Sequence, residues 1–231
     1  MAEHRANESP AQVYLQPIAA PSILGLYGFA GSTFIVATHL AKWWGGPESF
    51  LFVFPFAAFF GGLAQFLAGM WAYRARDGLA TAMHGMWGAF WLGWGLLNFM
   101  FAAGIVKETN PDFPKAFGYW FIALGAITLI GAIVASAENL ALAAVLHTLW
   151  IASGLLAIGF LVSADPVNSG WTIIAGWVFI ASAVLAWYTA SALLFEGVFG
   201  RAVLPVGLTQ KAQQEPEIVA GAGEPGVAKG Q

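Results

Sequence analysis

Residues 140–162 read LALAAVLHTLWIASGLLAIGFLV, without one charged side chain from Leu140 to Val162. A helix that crosses roughly 30 Å of hydrocarbon at about 1.5 Å per residue needs about 20 mostly apolar residues, and this stretch supplies them. Five further stretches qualify by the same reading: residues 23–41, 50–73, 79–105, 117–137 and 171–195. The breaks between the six carry turn formers or charge: Trp44-Gly45-Gly46-Pro47-Glu48, Arg74-Ala75-Arg76-Asp77-Gly78, residues 107–115 with Pro111 and Pro114, Ala137-Glu138-Asn139, and Asp165-Pro166 to Gly170. These loops are short, so successive helices run antiparallel. The expected fold is all-α, a polytopic membrane protein with six transmembrane helices.

Composition agrees. Of 231 residues, 59% are hydrophobic and 9% charged, against about 25% charged in soluble domains. With 9 Lys and Arg, 12 Asp and Glu, and no clustered basic face, nucleic-acid binding is excluded as a function. The chain has no cysteine, hence no disulfide, thiol nucleophile or thiolate metal site. Residues 1–20, with Glu3, His4, Arg5, Asn7 and Glu8, lack the apolar core of a signal peptide and read as a short N-terminal tail. Residues 21–207 hold the six helices. Residues 208–231 turn to Gly, Ala, Pro, Glu, Gln and Lys, too poor in large apolar groups to repay ordering, and read as a disordered tail.

Positive loops stay cytoplasmic. Arg5, Arg74, Arg76, Arg201, Lys211 and Lys229 fall on one side, and Lys42, Lys107 and Lys115 on the other. That asymmetry puts both termini inside, in an integral membrane protein expected in a bacterial inner membrane. Small residues at i, i+4, namely Gly85, Ala89 and Gly93 in the third span and Ala64 and Ala68 in the second, read as packing seams.

No charged group lies near the middle of any span: Glu138 and Glu196 sit at helix ends, and Lys42 and Lys107 close the outer ends of the first and third. A mid-membrane charge is expensive and usually functional, so its absence argues against a retinal Schiff base. The lack of clustered acids or paired histidines argues against an intramembrane metal hydrolase. The chain is expected to be no enzyme and to need no metal or cofactor. The polar groups left inside are Ser32, Thr33, Thr38, His39, Gln65, His84, Asn98, Thr128, His147, Thr148 and Ser153.

Four motifs carry a resemblance. Ser22-Ile-Leu-Gly-Leu-Tyr-Gly-Phe29, Gly61-Gly-Leu-Ala-Gln-Phe-Leu-Ala-Gly69, Trp87-Gly-Ala-Phe-Trp91 and Phe199-Gly-Arg-Ala-Val-Leu-Pro-Val-Gly207 resemble, in order and spacing, the acetate uptake transporter family, also called succinate–acetate permeases. The likeness runs over residues 20 to 207. It implies a six-helix protomer, a homo-hexamer surrounded by membrane lipid, and a narrow conduit in each protomer for acetate and similar small carboxylates. It also implies an apolar ring from the first, third and fifth helices at Phe29, Trp87 and Leu149, with Trp87 where the family usually has Tyr. Without the resemblance, two aromatics and a Leu in so apolar a chain read as plain core.

Helical phase then selects the polar groups on the conduit face. Ser32 and Thr33 fall one turn outward from Phe29, His84 one turn inward from Trp87, and Asn98 about three turns outward on the same helix; Gln65, within the 61–69 motif, is counted with them. His39 matches a family histidine at the outer mouth, where an interfacial position is the plain reading; His147 faces away from Leu149 and reads as packing. His84 is a departure from the family pattern: with an ordinary pKa near about 6.5 it is able to carry a proton, and a neutral hydrogen-bonded role is its alternative. Ala20-Pro-Ser-Ile-Leu-Gly-Leu26 lacks the family's Asn and one Pro, and Ala72 replaces an acidic residue. Three functions stay open on the sequence: a conduit for acetate-like carboxylates, with or without a proton; a channel for a neutral solute such as urea, a short amide or undissociated acid; and a receptor or scaffold that moves nothing.

Overall fold

The computed structural model describes residues 18–46 and 48–209; the expected tails over residues 1–17 and 210–231 lie outside them. The described chain is helical: α1 Pro21–Leu40, α2 Phe50–Ala57, a π-helical segment Ala58–Ala64, α3 Gln65–Ala75, α4 Gly78–Ala102, α5 Asp112–Ala135, α6 Leu140–Val162 and α7 Gly170–Phe199. The second of these through α3 form one rod over Phe50–Ala75.

Five of the resulting rods are long and apolar enough to cross a membrane. The other, α4, is 25 residues long and uncharged, but five glycines, His84 and Asn98 dilute its hydropathy. Its indoles Trp87, Trp91 and Trp94 are nonetheless buried in the bundle.

The rods close into a ring. Each packs on the next in chain order, and α7 returns to α1; α1 also touches α4. One apolar core runs through the middle, built from Leu26, Phe29, Trp87, Phe90, Phe121, Leu146, Leu149 and Phe179 among others. Close approach is made at Gly69, where a Cβ would stand 2.7 Å from the Gly85 amide nitrogen, and at Gly88, where it would meet the Phe66 backbone. Gly85 thus packs as the seam expected, whereas Ala89 and Gly93 are exposed on the protomer's flank.

Helix ends follow local chemistry. Asp77, Asn139 and Ser169 each accept from the backbone N–H three residues on, at 2.8, 2.8 and 3.2 Å, the usual N-cap. The fourth rod begins at Asp112, five residues before the expected start, because Pro114 falls in its first turn, where the missing N–H has no intrahelical partner to lose. The third ends at Ala102, short of the expected 105, as Gly104 turns the chain at φ 70°. Past α7, residues 200–209 fold back on the start of α6: the Leu140 and Ala141 amides donate to the Gly207 and Val206 carbonyls, both at 3.0 Å. Thr209 Oγ1 donates to the Ala137 carbonyl at 2.6 Å.

The π segment was not foreseen. Pro55 already removes one donor from this rod, and the α ladder then widens to π pairing over Ala58–Ala64. The Ser32 hydroxyl of α1 donates to the Ala57 carbonyl at 3.3 Å and accepts from the Gly61 amide at 2.7 Å, the two groups that an α-helix would have paired with each other. A foreign side chain in the i→i−4 ladder is a recognised cause of such a distortion.

Candidate conduit and its constriction

The three ring positions come together at mid-bundle. Phe29, Trp87 and Leu149 are 2%, 2% and 1% exposed. Phe29 meets Trp87 edge to face, with centroids 5.8 Å apart and planes at 78°, the arrangement aromatic quadrupoles favour. Trp87 is fixed from its other side as well. Its indole N–H donates to Thr128 Oγ1 at 3.0 Å, that hydroxyl donates to the Leu124 carbonyl at 2.7 Å, and Phe90 packs on the indole at 5.4 Å.

Two cavities flank this plug, and Trp87 lines both. One, with room for only about 40 Å³, opens toward the side where α1 begins, and is lined by Phe29, Leu149, Ser22, Gln65, His84, Asp77 and Glu138. The other, of about 80 Å³, opens toward the far side, between Thr33, Trp91, Trp94, Asn98, Phe117 and Glu108. A plug of apolar side chains between two cavities is the form of a hydrophobic gate.

The polar positions divide between these spaces. On the tail side, Gln65 Nε2 lies 3.5 Å from His84 Nδ1 and His84 Nε2 lies 3.2 Å from Ser22 Oγ. The imidazole thus bridges the Gln65 amide and the Ser22 hydroxyl. Gln65 Oε1 is buried without a partner in the protein. Room for the imidazole is made by Gly25, where a Cβ would lie 2.5 Å from the ring. On the far side, Thr33 lines the cavity with its Oγ1 unpartnered, and Asn98 turns its amide back to the Trp94 carbonyl at 2.8 Å.

One expected path residue, Ser32, and the expected mouth residue, His39, lie apart from both cavities. Ser32 is committed to the π segment, and His39 sits at the far end, donating from Nε2 to the Gly46 carbonyl at 3.3 Å and stacked on Phe50 at 4.4 Å. Thr128 and Trp91, unassigned from the sequence, enter the site: the first holds Trp87, and the second lines the far cavity with a buried, unpartnered indole N–H. His147 is paired on both nitrogens, accepting from Trp150 Nε1 at 3.1 Å and bonded to Ser136 Oγ at 3.1 Å.

A closed ring of long apolar helices around two cavities and an apolar plug defines an integral membrane protein of the channel or carrier class. The chain belongs to the GPR1/FUN34/yaaH family, whose profile matches residues 3–205. It is similar to the succinate-acetate/proton symporter SatP of Escherichia coli, at 29% identity over 196 residues, covering 82% of this chain and 96% of that one. A further relative is the ammonia transport outward protein 2 of Saccharomyces cerevisiae, at 27% identity over 187 residues, with 80% and 64% covered. Among solved structures, the bacterial acetate channel SatP superposes with a TM-score of 0.74 at 27% identity, covering 83% of this chain and all of that one.

Proposed function

We propose that the protein moves acetate and similar small carboxylates across a bacterial inner membrane, through a six-span protomer of a homo-hexamer whose tails face the cytoplasm. It is a transporter or channel and performs no chemistry. The observation that carries this reading is the plug of Phe29, Trp87 and Leu149 between two cavities, in a chain whose relatives include a succinate-acetate symporter. The six-against-three division of basic residues supports the orientation.

Charge favours a proton-linked mode. Among the described residues, the charged ones lining the cavities are Glu108 on the far side and Asp77 and Glu138 on the tail side, with no Lys or Arg. A bare anion meets carboxylates at both mouths and then a dry ring, where burying an unpaired charge is very costly. An acid that carries its proton, or an anion accompanied by one, avoids both penalties. The same acidic lining suits a second reading, a channel for a neutral solute, and the ammonia transport relative speaks for it.

Uptake of labelled acetate into proteoliposomes, with and without an inward proton gradient, tests the proposal. Acetate flux above empty vesicles that rises with the gradient supports it. Urea flux that acetate fails to compete, with no acetate uptake at any pH, replaces it with the neutral-solute channel.

A further inference from the structure

Past α7 the chain returns to the bundle. Gly200 ends the helix in the left-handed region at φ 65°, and Gly207, at φ 68°, turns the strap that follows onto the α5–α6 joint. Between them the Tyr188 hydroxyl of α7 donates to the Pro205 carbonyl at 2.7 Å. The strap is mostly exposed, so hydrogen bonds rather than burial hold it. Segments of that kind open at low cost.

Its bonds fall on one place. The four amides that open a helix have no partner within it. In α6, Asn139 donates to the Ala135 carbonyl at 3.1 Å, Leu142 donates to the Asn139 side chain at 2.8 Å, and the remaining two, Leu140 and Ala141, are met by the strap. Thr209 bonds in the other sense, its amide to the Glu138 carbonyl at 3.0 Å and its hydroxyl to the Ala137 carbonyl at 2.6 Å. The first turn of α6 is thus completed from outside the helix.

Glu138 and Leu142, at the two ends of this joint, line the tail-side cavity. With room for only about 40 Å³ the cavity holds a few waters, so passage of a solute requires one of its walls to move. Two walls are fixed by close contact: α3 meets the α4 backbone where Gly69 faces Gly85, and the His84 ring is seated against α1 at Gly25. Further along α6, the Ser182 hydroxyl donates to the Val145 carbonyl at 2.9 Å and holds that turn to α7. The wall left to give is the joint over residues 137–142, and the strap is bonded to it.

We infer that residues 200–209 form a latch: in place they hold the α5–α6 joint and keep the tail-side mouth narrow, and on lifting they let the start of α6 swing outward and the mouth widen. The inference rests on the reading of the chain as a conduit. Once the strap lifts, water meets the Leu140 and Ala141 amides, so no polar group is stranded and the latch is reversible.

The test uses the full chain, which has no cysteine of its own. A Cβ at Gly207 would lie 3.0 Å from that of Leu140, near the spacing a disulfide spans, so Leu140→Cys with Gly207→Cys fastens the latch on oxidation. In proteoliposomes, acetate uptake by the oxidised form is expected to be about tenfold below that of the same protein after reduction, a comparison in which any strain of the substitutions cancels. Loosening is read separately in detergent. Leu146→Cys places a buried reporter in the tail-side cavity, and its modification by a small methanethiosulfonate is expected to quicken about threefold when Tyr188→Phe or Thr209→Val removes one bond of the strap. Uptake indifferent to oxidation, or a reporter indifferent to both strap variants, overturns the latch. If the native and reduced proteins move no acetate, the conduit reading fails by that fact, and the reporter rate alone decides whether the latch exists.

Discussion

The Trp87 indole reaches across the bundle to the Thr128 hydroxyl at 3.0 Å and so ties α4 to α5 at the height of the plug. The orientation of the ring's largest member therefore depends on a residue that never faces the conduit. Replacement by an isosteric apolar side chain, Thr128→Val, leaves the indole N–H buried and unmet. Interhelical hydrogen bonds in membranes are worth about 0.6–2 kcal/mol. The variant is expected to fold, to melt a few degrees lower in detergent, and to lose discrimination between acetate and larger acids. Thermal unfolding with parallel flux assays checks both; an unaltered selectivity means the bond is structural only.

In the proposed conduit, Trp87 sets the width. Trp87→Ala is expected to raise the ratio of butyrate to acetate flux by about tenfold, the scale on which pockets discriminate one or two methylenes. Equal ratios in variant and native protein would remove the plug from the permeation path.

Gly25 and His84 make a second linked pair. A methyl group at position 25 would collide with the imidazole, so Gly25→Ala has to displace His84 from Ser22 or move α1. Overpacking of this kind costs about 1–3 kcal/mol. The double variant Gly25→Ala with His84→Ala is expected to recover most of that loss, because the ring that obstructs the new methyl is gone. Chemical denaturation of the single and double variants measures the coupling; strict additivity refutes it.

Orientation has a clean assay because the chain contains no cysteine. Single cysteines at Thr109 or Asn168 are expected to react with an impermeant maleimide from outside intact cells, and one at Gly78 only after permeabilisation. Reversed labelling would invert the assignment of cytoplasmic and outer faces.

Much of the architecture is written in plain hydropathy. Uninterrupted apolar runs mark the helices, and Asp77, Asn139 and Ser169 announce three of their starts. Pro114 misleads, since proline signals a break only where an N–H is needed. The polar groups were harder to assign. Helical phase placed Ser32 and Thr33 together near Phe29, yet neighbours on a helix diverge by about 100°; one enters the π segment and the other the cavity. Trp91 and Thr128 were indistinguishable from core, because a donor's lack of a partner, or its choice of one, belongs to tertiary structure. The ring positions themselves came from the family likeness and not from any periodicity.

The π segment has a further consequence for how the second rod is wound. Each such turn stores one residue more than an α turn, so the two halves of Phe50–Ala75 are out of phase by roughly the angle one residue subtends. Val53 and Ala57 on one half, and Gln65, Ala68 and Gly69 on the other, are all buried, and the offset draws them onto a narrower inward face. Removing a single outward-facing residue, Phe59 or Phe60, would let the rod rewind as regular helix with Gln65 still facing inward, whereas straightening the segment with all its residues kept would turn Gln65 by about 100° toward the flank. The reading frame of the second helix, as a geometric object, is thus kept by one serine hydroxyl on the first.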